Sequence, residues 1–585
     1  MTDTSAGAAA PSDEKTFLGH PRGLVILFFT EMWERFSYYG MRGLLVLYLT
    51  QHFLFSDERS NLIYGAYVSL VYVMAIFGGS LADRYLGQRK AVTFGAILLV
   101  LGHFGMAFEG NGAKETMTFQ GAEYELTLDG RGGDATQLII GENGQSTISF
   151  NEGATQMIIN DPAAVGLPST IATDSYDTKT TREGFYLNIL YLSLALIIAG
   201  VGFLKANIST IVGDLYDLGD TRRDSGFTLF YMGINLGAFL SSWTCGILGI
   251  VYGWKYGFGL AGIGMVAGLF VFLRYQHWLG DLAAPPDAEK LKKKVFGPIN
   301  IEWACYLSAL LIIAVSIALV MNPDPASKLM AAIGVIMFVF LIGYSFVKLQ
   351  GDERSRMWAA VYFALAQIPF WSLFEQAGSS LTLFTDRLVD RNIMGWSVPT
   401  PVFQSLNAGF IFIFAPIIAW LWVWLAKRGW EPSTPVKFAL GVFGVGLGFL
   451  ALVAGMQTTG ASALTPVLFI FLIYWIHTMA ELLLSPVGLS AMTKLAPHRA
   501  VGLIMGTWFL YTGLSNSLAG VIASSTGAET IGGQMVDAVA AKATYATVYT
   551  NVAYVAMGVA VFMLLISPIV KKWMHMSGDE VKSSS

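Results

Sequence analysis

Residues 24–50 read LVILFFTEMWERFSYYGMRGLLVLYLT, a run long enough to cross a bilayer as one helix, and it carries Glu31, Glu34, Arg35 and Arg42. A charge at the centre of a membrane helix costs about 2.5–3.5 kcal/mol or more unless it is paired or wet, so such a cluster marks a functional interior. At about 100° per residue, Glu31, Glu34, Arg35, Tyr38 and Arg42 fall at roughly 0, 300, 40, 340 and 20°, on one face of the helix. That face needs other helices around it. The stretch therefore implies an all-α polytopic membrane protein with a charged centre.

The rest of the chain agrees. It has 585 residues, 54% hydrophobic and 13% charged, with 63 glycines and a mean hydropathy of +0.56. That composition excludes a soluble enzyme and gives no basis for nucleic-acid binding. Apolar runs of about 20 residues predict roughly fourteen spans, at 22–50, 60–82, 88–108, 185–212, 226–247, 255–277, 300–321, 329–349, 357–385, 400–426, 436–456, 465–495, 500–525 and 546–573. Alternate short loops hold the cations: Arg84, Arg89 and Lys90, then Arg222 and Arg223, then Lys290 and Lys292 to Lys294, and so on to Lys571 and Lys572. The positive-inside rule then places both termini, residues 1–16 and 574–585, in the cytoplasm as short tails. The first apolar run is too long and too charged for a cleaved signal peptide. Cys245 and Cys305 lie in apolar runs and make neither a disulfide framework nor a metal-ligand spacing.

One stretch breaks the pattern. Residues 109–183 are polar, and their runs 123–128, 137–140, 147–150 and 156–159 are separated by Asp-Gly, Asn-Gly and Glu-Gly pairs, which predict a small antiparallel β insertion. With twelve acidic and four basic residues it is strongly negative, whereas the whole chain is at -4. It is expected on the extracytoplasmic side as a solvated lid or spacer, with a binding role left open.

Depth along the helices sorts the buried charges. At about 1.5 Å per residue, Glu31 to Arg35 lie roughly 10–17 Å into the first span, and Lys205 and Glu481 on descending spans reach the same level; Arg42 and Glu375 share a layer further out, near 27 Å. Each layer holds both signs. Its members can pair with one another in a closed interior or exchange that pairing for a zwitterionic ligand in an open one. A carboxylate whose cationic partner is taken by a ligand carboxylate accepts a proton more readily, which couples the two events. Packing is the reading for His103 and His477, with a proton relay as its alternative, and satisfied interhelical pairs are the alternative reading of the charges themselves.

Four segments carry a resemblance: Glu31 to Gly40 (EMWERFSYYG), Gly78 to Gly87 (GGSLADRYLG), Phe230 to Gly237 (FYMGINLG), and Glu481 to Pro486 with Gly488-Leu489. In this order they are similar to the proton-dependent oligopeptide transporter family of the major facilitator superfamily, whose signature is ExxERFxYYG. They span nearly the whole chain outside the insertion. The resemblance implies twelve core helices in two six-helix halves, residues 17–108 with 184–277 and residues 357–573, with two extra helices in a linker at 278–356. It also implies a substrate between the halves near the midplane.

By the same resemblance, Arg35 and Lys205 face a peptide carboxylate, Asn235, Asn407 and Glu481 hold its amino terminus, and Glu31, Glu34 and Arg35 couple the proton. Tyr38, Tyr39, Tyr72, Trp371, Ser485 and Trp508 line the cavity. The two charged layers supply the expected gates, Arg42 with Glu375 further out and Lys205 with Glu481 further in. Ala206 departs from the proline that relatives often carry after the lysine. The implied activity is proton-coupled import of di- and tripeptides through a bacterial inner membrane by alternating access, with no cofactor besides the proton and with the lipid bilayer as surroundings. Another small substrate, such as nitrate, another anion or a drug-like amine, and a peptide-sensing role are the alternatives. No HExxH, GxSxG or Gly-rich phosphate loop suggests an enzyme.

Overall fold

The computed structural model describes residues 16–217, 220–497 and 500–575. The tails expected at 1–16 and 574–585 lie almost wholly outside the described residues, as do Arg499 and the side chains of Pro486 and Leu489. Among the described residues there are fourteen long helices: α1 (Arg22–Gln51), α2 (Asp57–Leu81), α3 (Gln88–Met106), α4 (Gly184–Asp214), α5 (Arg223–Ile247), α6 (Trp254–Tyr275), α7 (Ile301–Met321), α8 (Pro323–Lys348), α9 (Gly351–Phe374), α10 (Ser405–Ala426), α11 (Thr434–Gln457), α12 (Leu468–Leu495), α13 (Val501–Ser524) and α14 (Ala538–Met574). Twelve are long and apolar enough to cross a membrane. The other two are α1, diluted by its charges, and α13, diluted by Thr507, Thr512, Ser515, Asn516 and Ser517.

Several helix boundaries differ from the expected ones, and caps explain them. Ser56 accepts from the Arg59 N–H and starts α2 early. Asp537 accepts from the N–H groups of Val539 and Ala540 and starts α14 well before residue 546. The ninth span, expected at 357–385, is two pieces: α9 ends at Phe374, a 3-10 turn covers Glu375–Gly378, and a short helix follows at Ser380–Leu388. The break at Ser379, whose backbone leaves the helical region (φ -127°, ψ -103°), puts Glu375 at a helix end instead of inside one.

Helices α1–α6 and α9–α14 each close around their own apolar core. The halves meet where α2 packs on α13 and α5 on α10, and α7 and α8 lie outside on the α2–α13 seam. The seam needs glycine: a Cβ on Gly65 of α2 would lie 2.6 Å from Gly520 Cα of α13. Nearby, Asn61 Nδ2 donates to Ala523 O at 3.1 Å.

The insertion is a seven-stranded antiparallel sheet in the order β6-β5-β4-β3-β2-β1-β7, formed by β1 (Lys114–Phe119), β2 (Ala122–Asp129), β3 (Thr136–Gly141), β4 (Gly144–Phe150), β5 (Gln156–Ile159), β6 (Thr170–Ala172) and β7 (Asp177–Thr181). The four expected strands are β2 to β5; β1, β6 and β7 complete the sheet. It is no free-standing lid. Its core residues Met117, Leu126, Ile139 and Met157 share a cluster with Ile531 and Val536 from the α13–α14 loop. Gln137 Nε2 donates to Ile531 O at 2.5 Å and Gly532 N–H to Glu115 Oε2 at 2.5 Å. On the α9–α10 side, Arg391 pairs with Asp134 at 3.1 Å and the Ser397 hydroxyl donates to Asp134 Oδ2 at 2.7 Å. Gly133 comes so close to Asp386 O that no side chain fits there. The sheet thus grows from the first half and is seated on the second.

Candidate functional site

A cavity of about 360 Å³ lies on the seam, walled by α1, α2, α4 and α5 from one half and α9, α10 and α12 from the other. This is the size of a small-molecule site. The helical period decides which residues reach it. On α5, Tyr231, Asn235, Ala238 and Ser242 succeed one another by three or four residues, and on α12 so do Tyr474, His477, Glu481 and Ser485. Ten expected residues line it: Tyr39, Arg42, Tyr72, Lys205, Asn235, Trp371, Glu375, Asn407, Glu481 and Ser485.

The two walls have opposite character. On the first half, the Lys205 ammonium sits 4.0 Å from the centre of the Tyr72 ring and makes no ion pair among the described residues. On the second, the Glu481 carboxylate accepts from Asn407 Nδ2 at 2.8 Å, and the same amide donates to Thr478 Oγ1 at 3.1 Å. The cavity is therefore dipolar, cation on one side and carboxylate on the other. Asn235 Nδ2 donates to Tyr231 O in its own helix at 3.0 Å.

At the end that bears the sheet the cavity is shut. Arg42 is ion-paired with Glu375 across the seam and bonds the Tyr64 hydroxyl. Beyond it lies a second inter-half pair, which sequence reasoning missed: Arg387 Nη1 to Asp57 Oδ2 at 2.6 Å, both side chains almost wholly enclosed. Asp57 also accepts from Ala528 N–H at 3.1 Å, and Asp386 takes Gln51 Nε2 at 3.0 Å and the Thr400 hydroxyl at 2.7 Å. The other expected gate, Lys205 with Glu481, is not formed: both face the cavity without pairing. The cavity thus carries a formed ion pair at its sheet end and none between Lys205 and Glu481.

Arg35, Tyr38 and Trp508 do not reach the cavity wall. Arg35 is held down by its own helix, with Nε 3.0 Å from Glu31 Oε1 and 2.5 Å from Glu34 Oε2. Tyr38 lies under that guanidinium, 5.3 Å away, and stacks on Tyr67. The Trp508 indole is spent against Gly488 and its carbonyl accepts from Gln367. Glu31, Glu34 and Arg35 are 3%, 0% and 3% exposed. Two carboxylates share one guanidinium there, so the triad carries one excess negative charge in an enclosed place, and Glu31 Oε2, Glu34 Oε1 and Arg35 Nη2 have no hydrogen-bond partner among the described residues. A proton on one carboxylate removes the excess.

Sequence reasoning missed Tyr231, Gln404, Tyr474 and the cavity position of His477. The signal was present: stepping back by four and by seven residues from Glu481 reaches His477 and Tyr474. His477 also packs as expected, with Nε2 3.1 Å from Val445 O and its ring against Phe374 and Phe449. His103 is 1% exposed and packs in the first half. Groups of three or more His, Cys, Asp or Glu side chains able to hold a metal are absent among the described residues.

Comparison with known proteins places this geometry. A family model described as "POT family" matches residues 89–538. An uncharacterized transporter, YclF, of Bacillus subtilis is 35% identical over 518 residues, covering 87% of this chain and 89% of that protein. The peptide transporter YePEPT of Yersinia enterocolitica is 31% identical, covering 97% and 98%. Among solved structures, a mutant of the peptide transporter POT in complex with alafosfalin superposes with a TM-score of 0.72 at 30% identity, covering 96% of this chain and 98% of that one.

Proposed function

The chain belongs to the POT family, and from that premise we propose that it is a proton-coupled symporter importing di- and tripeptides by alternating access. The observation that carries this reading is the dipolar cavity, with a Lys205 ammonium that makes no ion pair among the described residues on one half and the Asn407–Glu481 pair on the other. A zwitterionic peptide fits it by presenting its carboxylate to Lys205 and its ammonium to Glu481. Tyr39, Tyr72, Trp371 and Ser485 leave space between for side chains, and Asn235 offers a further polar contact to the peptide. The reading of both termini sets the length limit.

Glu31 or Glu34 carries the proton, coupled through the Arg35 guanidinium that both share. A peptide carboxylate arriving near Lys205 draws on the positive charge that Lys205 and Arg35 supply to the two glutamates, so one of them takes a proton as the ligand binds. Arg42 with Glu375 is the gate on the sheet side, and Lys205 with Glu481 closes the opposite side when the cavity opens outward. The sheet faces outward, both termini face the cytoplasm, and the bacterial inner membrane is the location. The carrier performs no covalent step and needs no cofactor besides the proton.

The test is uptake of radiolabelled dialanine by proteoliposomes under an imposed inward proton gradient. Accumulation that collapses with a protonophore supports symport. Accumulation unchanged by the protonophore contradicts it.

A further inference from the structure

A second cavity, of about 640 Å³, lies outside the transport path where the first half, the sheet and the α13–α14 loop meet. Three membrane-crossing helices end at it: α2 begins with Asp57, α4 with Gly184, and α7 finishes at Met321. It therefore sits at the level where the apolar core of the bilayer gives way to headgroups. Its walls combine apolar side chains, Phe55, Leu187 and Met321, with two guanidinium groups, Arg59 of α2 and Arg182, which directly follows β7.

The two cations are unusual company. Arg182 donates to Phe53 O at 2.6 Å and to Leu54 O at 2.5 Å, and Arg59 to Met321 O at 3.2 Å. The Phe55 ring lies between them, 4.5 Å from the Arg182 guanidinium carbon and 5.4 Å from that of Arg59. Neither arginine has an ion-pair partner among the described residues. Asp57 is committed to Arg387, and Glu115, the one carboxylate on the cavity wall, accepts from the Gly532 N–H and offsets part of the charge of Arg182. Burial and the charge of Arg59 lower the pKa of Arg182, against the opposing influence of Tyr191 and Glu115. Two guanidinium groups meet at this cavity with the single carboxylate of Glu115 on its wall, so one positive charge is left uncompensated among the described residues, and guanidinium groups suit a phosphate through paired N–H donors.

We propose that this cavity binds the phosphate of a membrane phospholipid, bridged between Arg59 and Arg182, with the acyl chains leaving past Met321 along α4 and α7. The exit is apolar and open: Met321 is 39% and Phe185 70% exposed. A free phosphate shares the headgroup chemistry but has no use for those walls. Because Arg59 belongs to the first half and Arg182 to the sheet, and because Thr530 and Gly533 of the second half close the cavity, the bound lipid braces the sheet in its seated position. The site is independent of the transport reading, since its occupant is detected by binding alone.

Native mass spectrometry of delipidated full-length protein with added phosphatidylglycerol tests it. The expected result is one lipid retained under activation that strips the others, lost at least tenfold in the Arg59→Gln/Arg182→Gln double variant. If the double variant does not fold, Arg59→Gln alone, at an exposed residue, is read in the same way. Equal retention by wild type and variant overturns the proposal. So does equal retention of a diacylglycerol, which lacks the phosphate, or displacement of the lipid by millimolar inorganic phosphate, which would assign the site to the free anion.

Discussion

Glu34 is fully enclosed and shares the Arg35 guanidinium with Glu31, so a neutral isostere there removes the excess charge that makes the triad take up a proton. Glu34→Gln is expected to abolish uptake driven by a proton gradient while peptide counterflow persists; gradient-driven accumulation in that variant contradicts the assignment. Arg42 and Glu375 differ in kind, because they pair across the seam. Removing one partner of a buried pair costs about 3–5 kcal/mol through the charge left behind. Glu375→Gln should therefore disfavour the state closed on the sheet side, which double electron–electron resonance between labels on the two halves at that end reads as a population shift toward longer distances. These charges were legible in the sequence because ionisable groups in apolar helices are conspicuous, and depth along each helix matched Arg42 with Glu375, whereas the matched Lys205 and Glu481 do not pair. Asp57 and Arg387 were not, since each sits near a helix end, where charges are ordinary, and only the fold brings residues 330 positions apart together. Arg35, Tyr38 and Trp508 show the converse: a motif places a residue on a helix, but neighbouring side chains decide whether it faces the cavity.

Among the elements, the α2–α13 crossing and the β sheet carry the consequences. At Gly65 any side chain meets the Gly520 backbone, so Gly65→Val is expected to wedge the sheet end open and reduce dialanine uptake by an order of magnitude or more. Retained membrane expression and longer inter-half distances distinguish that outcome from misfolding. The seat of the sheet is pH-sensitive through Glu115. Burial raises its pKa, while the Gly532 N–H and the nearby Arg182 oppose the rise. A carboxyl raised in the seated state binds protons more readily there than when released, so seating is penalised above that raised value. The penalty is relieved as pH falls through it toward the ordinary glutamate range. Hydrogen exchange of residues 114–181, corrected for the intrinsic chemical rate, should show greater protection at pH 5 than at pH 7 in the wild type and no such difference in Glu115→Gln. The sheet's central strands were legible from alternation and turn pairs. Strand β1, the short edge strands β6 and β7, and the contacts with residues 529–536 were not, because local pattern says nothing of a surface some 400 residues further along the chain.

At the scale of the whole molecule, two apolar-cored halves meet on a glycine-lined seam, closed by ion pairs at one end and open at the dipolar cavity below. In the proposed cycle those pairs part, the seated sheet releases the second half, and Lys205 and Glu481 close the opposite end. The central claim is that this cavity reads the two charged termini of a short peptide, one on each half. Competition against labelled dialanine uptake in proteoliposomes under a fixed proton gradient tests it most directly, with dialanine, N-acetyl-dialanine, dialanine amide and free alanine as competitors. Strong competition by dialanine alone, with each capped form and free alanine weaker by at least tenfold, is the predicted result; free alanine or either capped peptide competing as well as dialanine would contradict it.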